Sequence, residues 1–357
     1  MVIRERVIPL PLIQGGMGVG VSLAPLAGEV ARLGGVGTVS TAALDTLLTL
    51  REGRPFTPFE AARHELAEAG RLAQGGYLAA NIMCACATTY EDSVRGAVAG
   101  GADAIISGAG LPTSLPFLLA DSPQVALIPI VSSLRALRIL VKQWTRSGAP
   151  RLADAVVVEG PMAGGHLGFK PEEVEGAAYS LESLVPPILD LVHRELGDIP
   201  VIAAGGIWTR KDIDRFLQMG CAGVQLGTRF LATVESSASD DFKQALVETG
   251  PDEIVLADPA SPCGYPFRIS TRSPRAREPR EKNPCRYKVL VDPTGACKAN
   301  LEPGSYACLC SGLLAAAGVL PGDSGLYSTG SSGWRVDRIM TVREVMEELG
   351  LLAPADC

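Results

Sequence analysis

The stretch Ala155-Val-Val-Val-Glu-Gly-Pro-Met-Ala-Gly-Gly-His-Leu-Gly168 joins an apolar, β-branched run to a glycine-rich turn that carries one histidine. Such a run is typical of a buried parallel strand that opens into a loop at its carboxyl end, where parallel barrels carry their chemistry. Gly164 and Gly165 lack β-carbons, so backbone N–H groups can approach a flat or anionic ligand, and His166 projects into the same space. The stretch predicts a cofactor loop beside a base, although a lone histidine in such a loop is also often structural.

Seven further apolar segments end in the same way, and stretches with helical apolar spacing separate them. The eight predicted strands are residues 11–16, 35–40, 77–83, 104–110, 126–132, 155–160, 200–206 and 223–230. The predicted helices between them are residues 24–33, 60–72, 90–99, 134–144, 181–196 and 210–219. Strands that alternate with helices require a parallel sheet, and eight such units predict an α/β protein with a (β/α)8 TIM barrel over residues 1–235.

The pattern changes after residue 230. Helical spacing returns at residues 235–248, 309–318 and 342–351, whereas residues 261–288 are rich in proline and arginine. We therefore predict a mainly helical and irregular C-terminal appendage, residues 236–357, packed on the barrel. Two long connections, residues 41–76 and 169–180, are predicted to form lids over the barrel mouth.

Composition and charge narrow the class of protein. The chain has 357 residues, of which 47% are hydrophobic and 5% aromatic, and abundant glycine suits close packing of helices on strands. A formal charge of −7 disfavours a nucleic-acid binder, whose surface would be basic. No segment has the ~20 apolar residues of a membrane span, and the amino terminus lacks a signal-peptide core. These features predict a cytoplasmic protein without membrane partners.

A phosphate site is predicted where the seventh and eighth strands end. There the sequence reads Ala203-Ala-Gly-Gly-Ile207 and Gln225-Leu-Gly-Thr-Arg229. In barrels the loops after these strands commonly bind phosphate, and Gly205, Gly206, Leu226, Gly227 and Thr228 offer donors without bulk. A phosphorylated cofactor is the natural occupant; the alternative is that the glycines only turn the chain.

The ends of strands one and three suit a planar ring. Strand one ends in Gln14-Gly15-Gly16-Met17, and strand three contains Asn81. Glycines let the backbone contact a flat ligand, and an asparagine amide can both donate to and accept from the edge of an isoalloxazine. Either feature could also be structural, since asparagine is a common turn former.

Taken in order, these motifs resemble the nitronate monooxygenase family, also called 2-nitropropane dioxygenases, and are similar to the flavin-dependent enoyl-ACP reductases. The resemblance covers about residues 8–235. It implies an FMN-dependent barrel in which Asn81, Gly164, Gly206 and residues 225–228 bind flavin and His166 acts as a base or orients the substrate. Family members often have glutamine at Glu159, so here a carboxylate is expected near the flavin.

The resemblance implies an oxidoreductase that oxidises alkyl nitronates, which are small molecules, with dioxygen. The first alternative is an enoyl-thioester reductase that uses NADH or NADPH as co-substrate, with an acyl carrier or CoA thioester as partner. The second is a flavin- or metal-binding redox sensor. A homodimer is compatible with either enzyme.

The downstream part resembles a narrower branch with a Ser-Pro-x-Gly-x-Pro segment, then a cysteine cluster, then Tyr-Arg-Val-Asp. The first and last of these appear here as Ser261–Pro266 and Trp334-Arg-Val-Asp337. Four thiolates can hold zinc or an iron–sulfur cluster. The four candidate ligands are Cys285, Cys297, Cys308 and Cys310. Their spacing lacks a C-x2-C pair, and buried cysteines often serve only as small apolar residues.

An arginine-rich run extends over residues 268–288. We expect it to be a solvated loop face. The alternative is a landing site for an anionic group such as the phosphates of phosphopantetheine or CoA, or an RNA backbone.

Overall fold

Eight parallel strands close into a barrel in the computed structural model, which describes residues 1–257, 261–277, 287, 289–291, 296–302 and 308–354. Each strand pairs in parallel with the next, and the last pairs with the first. The strands are β1 (Leu12–Gln14), β2 (Val36–Ser40), β3 (Tyr77–Met83), β4 (Ala104–Gly108), β5 (Ala126–Val131), β6 (Val156–Glu159), β7 (Val201–Ala204) and β8 (Gly223–Leu226). The predicted (β/α)8 barrel is confirmed, with every strand inside its predicted range.

Helices occupy the connections between the strands. They are α1 (Ala24–Arg32), α2 (Leu44–Glu52), α3 (Pro58–Ala73), α4 (Tyr90–Ala99), α5 (Leu115–Leu118), α6 (Leu134–Arg146), α7 (Leu181–Glu195), α8 (Arg210–Gln218) and α9 (Thr228–Leu231). The six predicted helices are all present, and α2, α5 and α9 were not predicted. Several helices begin at an oxygen-bearing cap: the Thr57 hydroxyl accepts from the N–H of Glu60, whose carboxylate accepts from the N–H of Thr57.

The barrel interior is filled by small and branched side chains from alternate strand positions. Ile13, Ile106, Ile128 and Val157 are among these residues, and each is at most 1% exposed. Ile3, at the amino terminus, packs against the same cluster. It lies in a short antiparallel hairpin, Val2–Ile3 with Arg6–Val7. The interior is therefore a packed core, and chemistry is confined to the carboxyl ends of the strands.

Glycine permits very close contact between helices and strands, as the composition predicts. A β-carbon on Gly37 in β2 would lie 1.7 Å from the carbonyl oxygen of Ala27 in α1. A β-carbon on Gly96 in α4 would lie 2.3 Å from the carbonyl oxygen of Phe59 in α3. Neither position can accept a larger residue without moving a backbone.

The chain after α9 returns to the barrel mouth. Its elements are α10 (Asp240–Val247), strands Ile254–Leu256 and Phe267–Ser270, α11 (Lys298–Leu301), α12 (Leu309–Ala316) and α13 (Val342–Glu348). Backbone hydrogen bonds from Val234 to Met340 and from Ser239 to Ala316 tie these elements to the end of the barrel. Strand Phe267–Ser270 also pairs with Gly165–His166 from the glycine-rich loop. The division into residues 1–235 and 236–357 stays a prediction.

The two predicted lids are corrected by the structure. Residues 41–76 contain α2 and α3, and α3 packs against its neighbours α1 and α4 as an ordinary barrel helix. Residues 169–180 form two short 3-10 turns, Pro171–Glu173 and Ala177–Tyr179. Of both segments only Ala42 reaches the cavity at the barrel mouth.

Within the described residues, no helix is both long and apolar enough to cross a membrane.

Candidate active site

A cavity of about 510 Å³ lies at the carboxyl ends of the barrel strands. This volume is within the ordinary range for a ligand or cofactor site. All but one of the residues predicted to bind a cofactor or to act on substrate line it. These residues are Gly15, Gly16, Met17, Asn81, Glu159, Gly164, Gly165, His166, Gly205, Gly206, Gln225, Leu226, Gly227 and Thr228.

Gln14 is the exception, because its side chain faces the fold rather than the cavity. It is fully buried, its Nε2 donates to Ser22 Oγ at 2.8 Å, and its Oε1 accepts from the N–H of Thr38 at 2.9 Å. A second bond from Nε2 reaches the carbonyl of Gly15. With its amide used in this way, the Gln14 side chain supports the loop after β1 and does not line the cavity.

The glycine-rich loop is fixed by strand Phe267–Ser270. Phe267 pairs with His166 and Arg268 with Gly165 in an antiparallel ladder. The Arg268 guanidinium, only 8% exposed, donates from Nη1 to the carbonyls of Pro161 at 2.7 Å and Ala163 at 2.6 Å. Residues 268–288 were expected to form a solvated basic face. This expectation is wrong for Arg268, the first residue of the run, because its side chain is buried and holds the loop through these two hydrogen bonds.

His166 lies between the cavity and two residues from the C-terminal region. Its Nε2 is 2.7 Å from Ser261 Oγ, and the Phe267 ring meets the imidazole edge-on with centroids 4.7 Å apart. Burial lowers the pKa of His166 to about 4, because the cationic form would lose its hydration. The imidazole is therefore neutral at physiological pH.

Glu159 ends β6 and lines the same cavity. Burial raises the pKa of this carboxyl to about 7, since no cation compensates the charge. The Glu159 carboxyl therefore gains or loses its proton near neutral pH and is not permanently negative.

Replacement of Glu159 by Gln should change the pH dependence of stability in the flavin-stripped protein. The unfolded carboxyl ionises near pH 4.5, whereas the folded one keeps its proton until about pH 7, so the native protein loses stability as pH rises through this window. The variant lacks this loss. Its stability relative to wild type should grow by up to about 3 kcal/mol between pH 4.5 and 8, measured by urea unfolding. A pH-independent difference would contradict the raised pKa.

The loop after β1 and the end of β8 fit a planar polar ring. Gln225 is 9% exposed, and its Oε1 finds no hydrogen-bond donor among the described residues, so a ligand N–H would satisfy it. A β-carbon on Gly16 would lie 2.2 Å from Asn81 Cβ, and glycine there leaves room for the Asn81 side chain at the cavity wall. The residues present therefore fit the isoalloxazine of a flavin.

The loops after β6, β7 and β8 meet where the phosphate site is predicted. Gly205 and Gly206 have φ of +96° and +80°, which disfavours any residue with a side chain. A β-carbon on Gly164 would lie 2.6 Å from the backbone nitrogen of Gly330, which itself donates to Thr228 Oγ1 at 3.0 Å. A residue with a side chain is thus disfavoured at Gly164, Gly205 and Gly206.

Replacement of Gly164 by Ala should release flavin. The new methyl group would collide with the backbone at Thr329 and Gly330, so the loop must move away from the wall of the cavity. We expect at least a tenfold lower flavin affinity, about 1.4 kcal/mol, measured by absorbance after dialysis. Gly70→Ala in α3, where a β-carbon meets no atom closer than 3.9 Å, is the matched control and should retain flavin.

Much of the cavity wall comes from the C-terminal region, which sequence reasoning did not place at the site. These wall residues are Tyr265, Phe267, Val289, Leu290, Cys310, Leu313, Ser328, Thr329, Gly330 and Ser332. The Ser261–Pro266 motif was the available signal, since it leads directly into the strand that pairs with His166.

The predicted metal site finds no support. Cys285 lies outside the described residues, Cys297 and Cys310 are buried, and Cys308 Sγ is 3.9 Å from Ser311 Oγ. Across the described part of the chain, no group of three or more His, Cys, Asp or Glu side chains could hold a metal ion.

Known proteins similar to this chain include a nitronate monooxygenase and a carboxyl-CoA dehydrogenase. A nitronate monooxygenase from Pseudomonas aeruginosa is 37% identical over 149 residues, which are 38% of this chain and 41% of that protein. The (3aS,4S,5R,7aS)-5-hydroxy-7a-methyl-1-oxo-octahydro-1H-indene-4-carboxyl-CoA dehydrogenase from Rhodococcus jostii is 31% identical over 170 residues, 44% of each chain. The chain therefore spans less than half the length of these curated relatives.

Solved structures cover nearly the whole chain. FabK from Thermotoga maritima superposes with a TM-score of 0.67 and 26% identity, covering 96% of this chain and 92% of that one. A nitroalkane oxidase from Streptomyces ansochromogenes gives 0.66 and 23% identity over 96% and 95% of the two chains, and this likeness shows the fold alone. A model of the nitronate monooxygenase family matches residues 3–351. The chain belongs to the nitronate monooxygenase family.

Proposed function

We propose that the protein oxidises alkyl nitronates with dioxygen. The observation that carries the proposal is the neutral His166 imidazole, which lines the cavity and is held from behind by Ser261 and Phe267. A fixed, neutral ring can offer one N–H or one lone pair to a substrate without first losing a proton to water. The Pseudomonas aeruginosa relative, a nitronate monooxygenase, supports the same reaction.

The residues that would hold FMN are those whose geometry fits it. Asn81 and Gln225 would bind the polar edge of the ring, and Gly206, Gly227 and Thr228 would surround the phosphate. FMN, when bound, supplies the electron-accepting and oxygen-reactive chemistry. The chain itself binds and orients both molecules and excludes water with an apolar wall.

An anionic substrate is compatible with the charges of the cavity. Glu159 lines the wall, but burial raises its pKa to about 7, and a nearby anion would raise that pKa further. Glu159 can thus stay protonated and donate a hydrogen bond to an anion. Arg135, an exposed residue whose side chain lines the cavity, adds a positive charge at the entrance.

The test is anaerobic mixing of the yellow protein with a small alkyl nitronate and, separately, with NADH and NADPH. We expect the nitronate alone to bleach the flavin band, with the colour returning in air. Bleaching by a nicotinamide nucleotide alone would overturn the proposal and identify a reductase.

Reduction of a CoA thioester is the second candidate, favoured by the outer face of α6. Arg135, Arg138, Lys142 and Arg146 recur at intervals of three or four residues, so they share one face of the helix. All four are exposed, and the described residues offer none of them an ion-pair partner. This row begins at the cavity and suits the phosphates of CoA. The Rhodococcus jostii relative is named for a CoA substrate.

Neutralising this row separates the two candidates. The double variant Arg138→Gln, Lys142→Gln, which leaves the cavity-lining Arg135 in place, should raise KM for a CoA thioester about tenfold at low salt and leave KM for a nitronate within about twofold. Arg95→Gln, which removes one positive charge from α4, is the control for altered net charge. An unchanged KM for the thioester would remove the second candidate.

A further inference from the structure

A row of three hydrogen-bonded side chains lies behind the catalytic candidate. His166 Nε2 is 2.7 Å from Ser261 Oγ, which is 2.9 Å from Cys263 Sγ. Ser261 is fully buried, and neither it nor Cys263 is among the residues that line the cavity. The contact of this pair with the cavity described above therefore runs through His166.

The number of available hydrogen-bond donors decides which residue donates to which among His166, Ser261 and Cys263. A serine hydroxyl has one hydrogen and two acceptor sites, and the backbone N–H of Cys263 uses one of these sites at 3.4 Å. If the Ser261 hydrogen goes to His166 Nε2, the Cys263 thiol can donate to the remaining acceptor site, and every donor has a partner. Burial raises the pKa of Cys263, so the thiol carries the hydrogen that this arrangement needs.

The reversed row is less favourable. It would have His166 Nε2–H donate to Ser261, and Ser261 donate to Cys263 Sγ, which is a weak acceptor. The thiol hydrogen would then have no hydrogen-bond acceptor within the described residues. The first arrangement places a lone pair on Nε2, which requires the hydrogen of the neutral ring to sit on Nδ1.

We propose that Ser261 and Cys263 hold His166 in the tautomer protonated on Nδ1, so that the ring presents an N–H donor to the ligand in the cavity. Nδ1 makes no hydrogen bond to any described residue, which leaves its hydrogen for that ligand. Ser261 and Cys263 are positioning residues in this scheme.

The consequence for substrate choice rests on the proposed function. A nitronate already lacks its α-proton and carries its charge on two oxygens, which accept hydrogen bonds. A nitroalkane would instead need a lone pair on Nδ1 to remove its α-proton. The tautomer therefore selects preformed nitronates over neutral nitroalkanes, with His166 orienting the anion.

Imidazole ¹⁵N NMR on the flavin-loaded protein, labelled only at histidine, tests the tautomer without any substrate. The chain has three histidines. The signals of His64 and His193 are identified by their loss in His64→Gln and His193→Gln. The expected result for His166 is a protonated Nδ1 and an unprotonated Nε2. A protonated Nε2 in the wild type would overturn the proposal.

Variants test whether Ser261 causes the preference of His166 for the tautomer protonated on Nδ1. Ser261→Ala should raise the fraction of the Nε2–H form, whereas Ser261→Thr, which keeps a hydroxyl, should restore the wild-type spectrum. Ser273→Ala removes an equally buried hydroxyl whose partners are Ser270 and Tyr327, so the His166 tautomer should not change. An unaltered tautomer in Ser261→Ala would exclude Ser261 as its cause. If Ser261→Ala does not fold, the wild-type spectrum alone decides.

A rate comparison tests the consequence. Propane-2-nitronate should turn over at least 10²-fold faster than 2-nitropropane in the same assay, about 2.7 kcal/mol in activation free energy. Equal rates would contradict a donor role for His166. No turnover of either compound would overturn the proposed function and leave the NMR result to judge the tautomer.

Discussion

Replacement of His166 by Ala is expected to lower nitronate turnover at least about 10²-fold while flavin content stays at the wild-type level. His166 is the only histidine among the residues that line the described cavity, so no other imidazole can take over its role. Its backbone stays paired with Phe267, because that ladder does not depend on the side chain. The measurement is oxygen consumption with a preformed nitronate, alongside the flavin absorbance of the same sample.

Two further variants sharpen this result. The amide nitrogen of Asn lies close to the position of Nδ1, so His166→Asn should retain part of the activity that His166→Ala loses if the ring acts as a donor. His193→Ala, at an exposed position on α7, is the matched control. Turnover near the wild-type level in His166→Ala would end the assignment of His166 as a catalytic residue.

The barrel could be predicted from the sequence because each of its strands has a local sequence pattern that identifies it. An apolar run such as Val156–Glu159 needs no distant partner to be identified as buried strand, and the glycine that follows marks its carboxyl end. Once eight such ends are counted, they must share one rim. This is why nearly all of the predicted flavin residues line a single cavity.

The remaining part of the site could not be predicted, because its contacts join residues far apart in sequence. Ser261 reaches His166 across 95 positions, and Arg268 reaches Pro161 across 107. Local composition was misleading here: an arginine in a proline- and arginine-rich run favours solvent, yet Arg268 lies in a strand that pairs with the glycine-rich loop. Only the antiparallel ladder reveals that this strand completes the site.

Gln14 shows a second limit of prediction from sequence, at a residue that lies next to a correctly placed motif. Its place beside Gly15 and Gly16 predicted a ligand contact, but side chains alternate between the two faces of a strand. Gln14 faces Ser22 and Thr38, while the glycines that follow it face the cavity. Sequence proximity to a motif does not fix the direction of a side chain.

Replacement of Arg268 by Met is expected to destabilise the protein by about 2–3 kcal/mol and to weaken flavin retention. The Arg268 guanidinium supplies the hydrogen bonds to the carbonyls of Pro161 and Ala163, and methionine keeps the bulk without the donors. The loss is partly offset because the buried charge, whose pKa burial lowers, no longer has to be desolvated.

Arg272→Met, four positions along the same segment, is the matched control for that change. Arg272 forms partly exposed ion pairs with Glu253 at 2.8 Å and Glu248 at 3.4 Å, so its loss should cost at most about 1 kcal/mol. Urea unfolding gives the free energy of unfolding of each variant. Flavin absorbance after dialysis shows whether the glycine-rich loop still binds flavin. If the two variants lose equal stability and equal flavin, the hydrogen bonds of Arg268 to the loop contribute no more than the partly exposed ion pairs of Arg272. If only Arg268→Met releases flavin, the C-terminal strand holds the glycine-rich loop in its binding conformation through this one side chain.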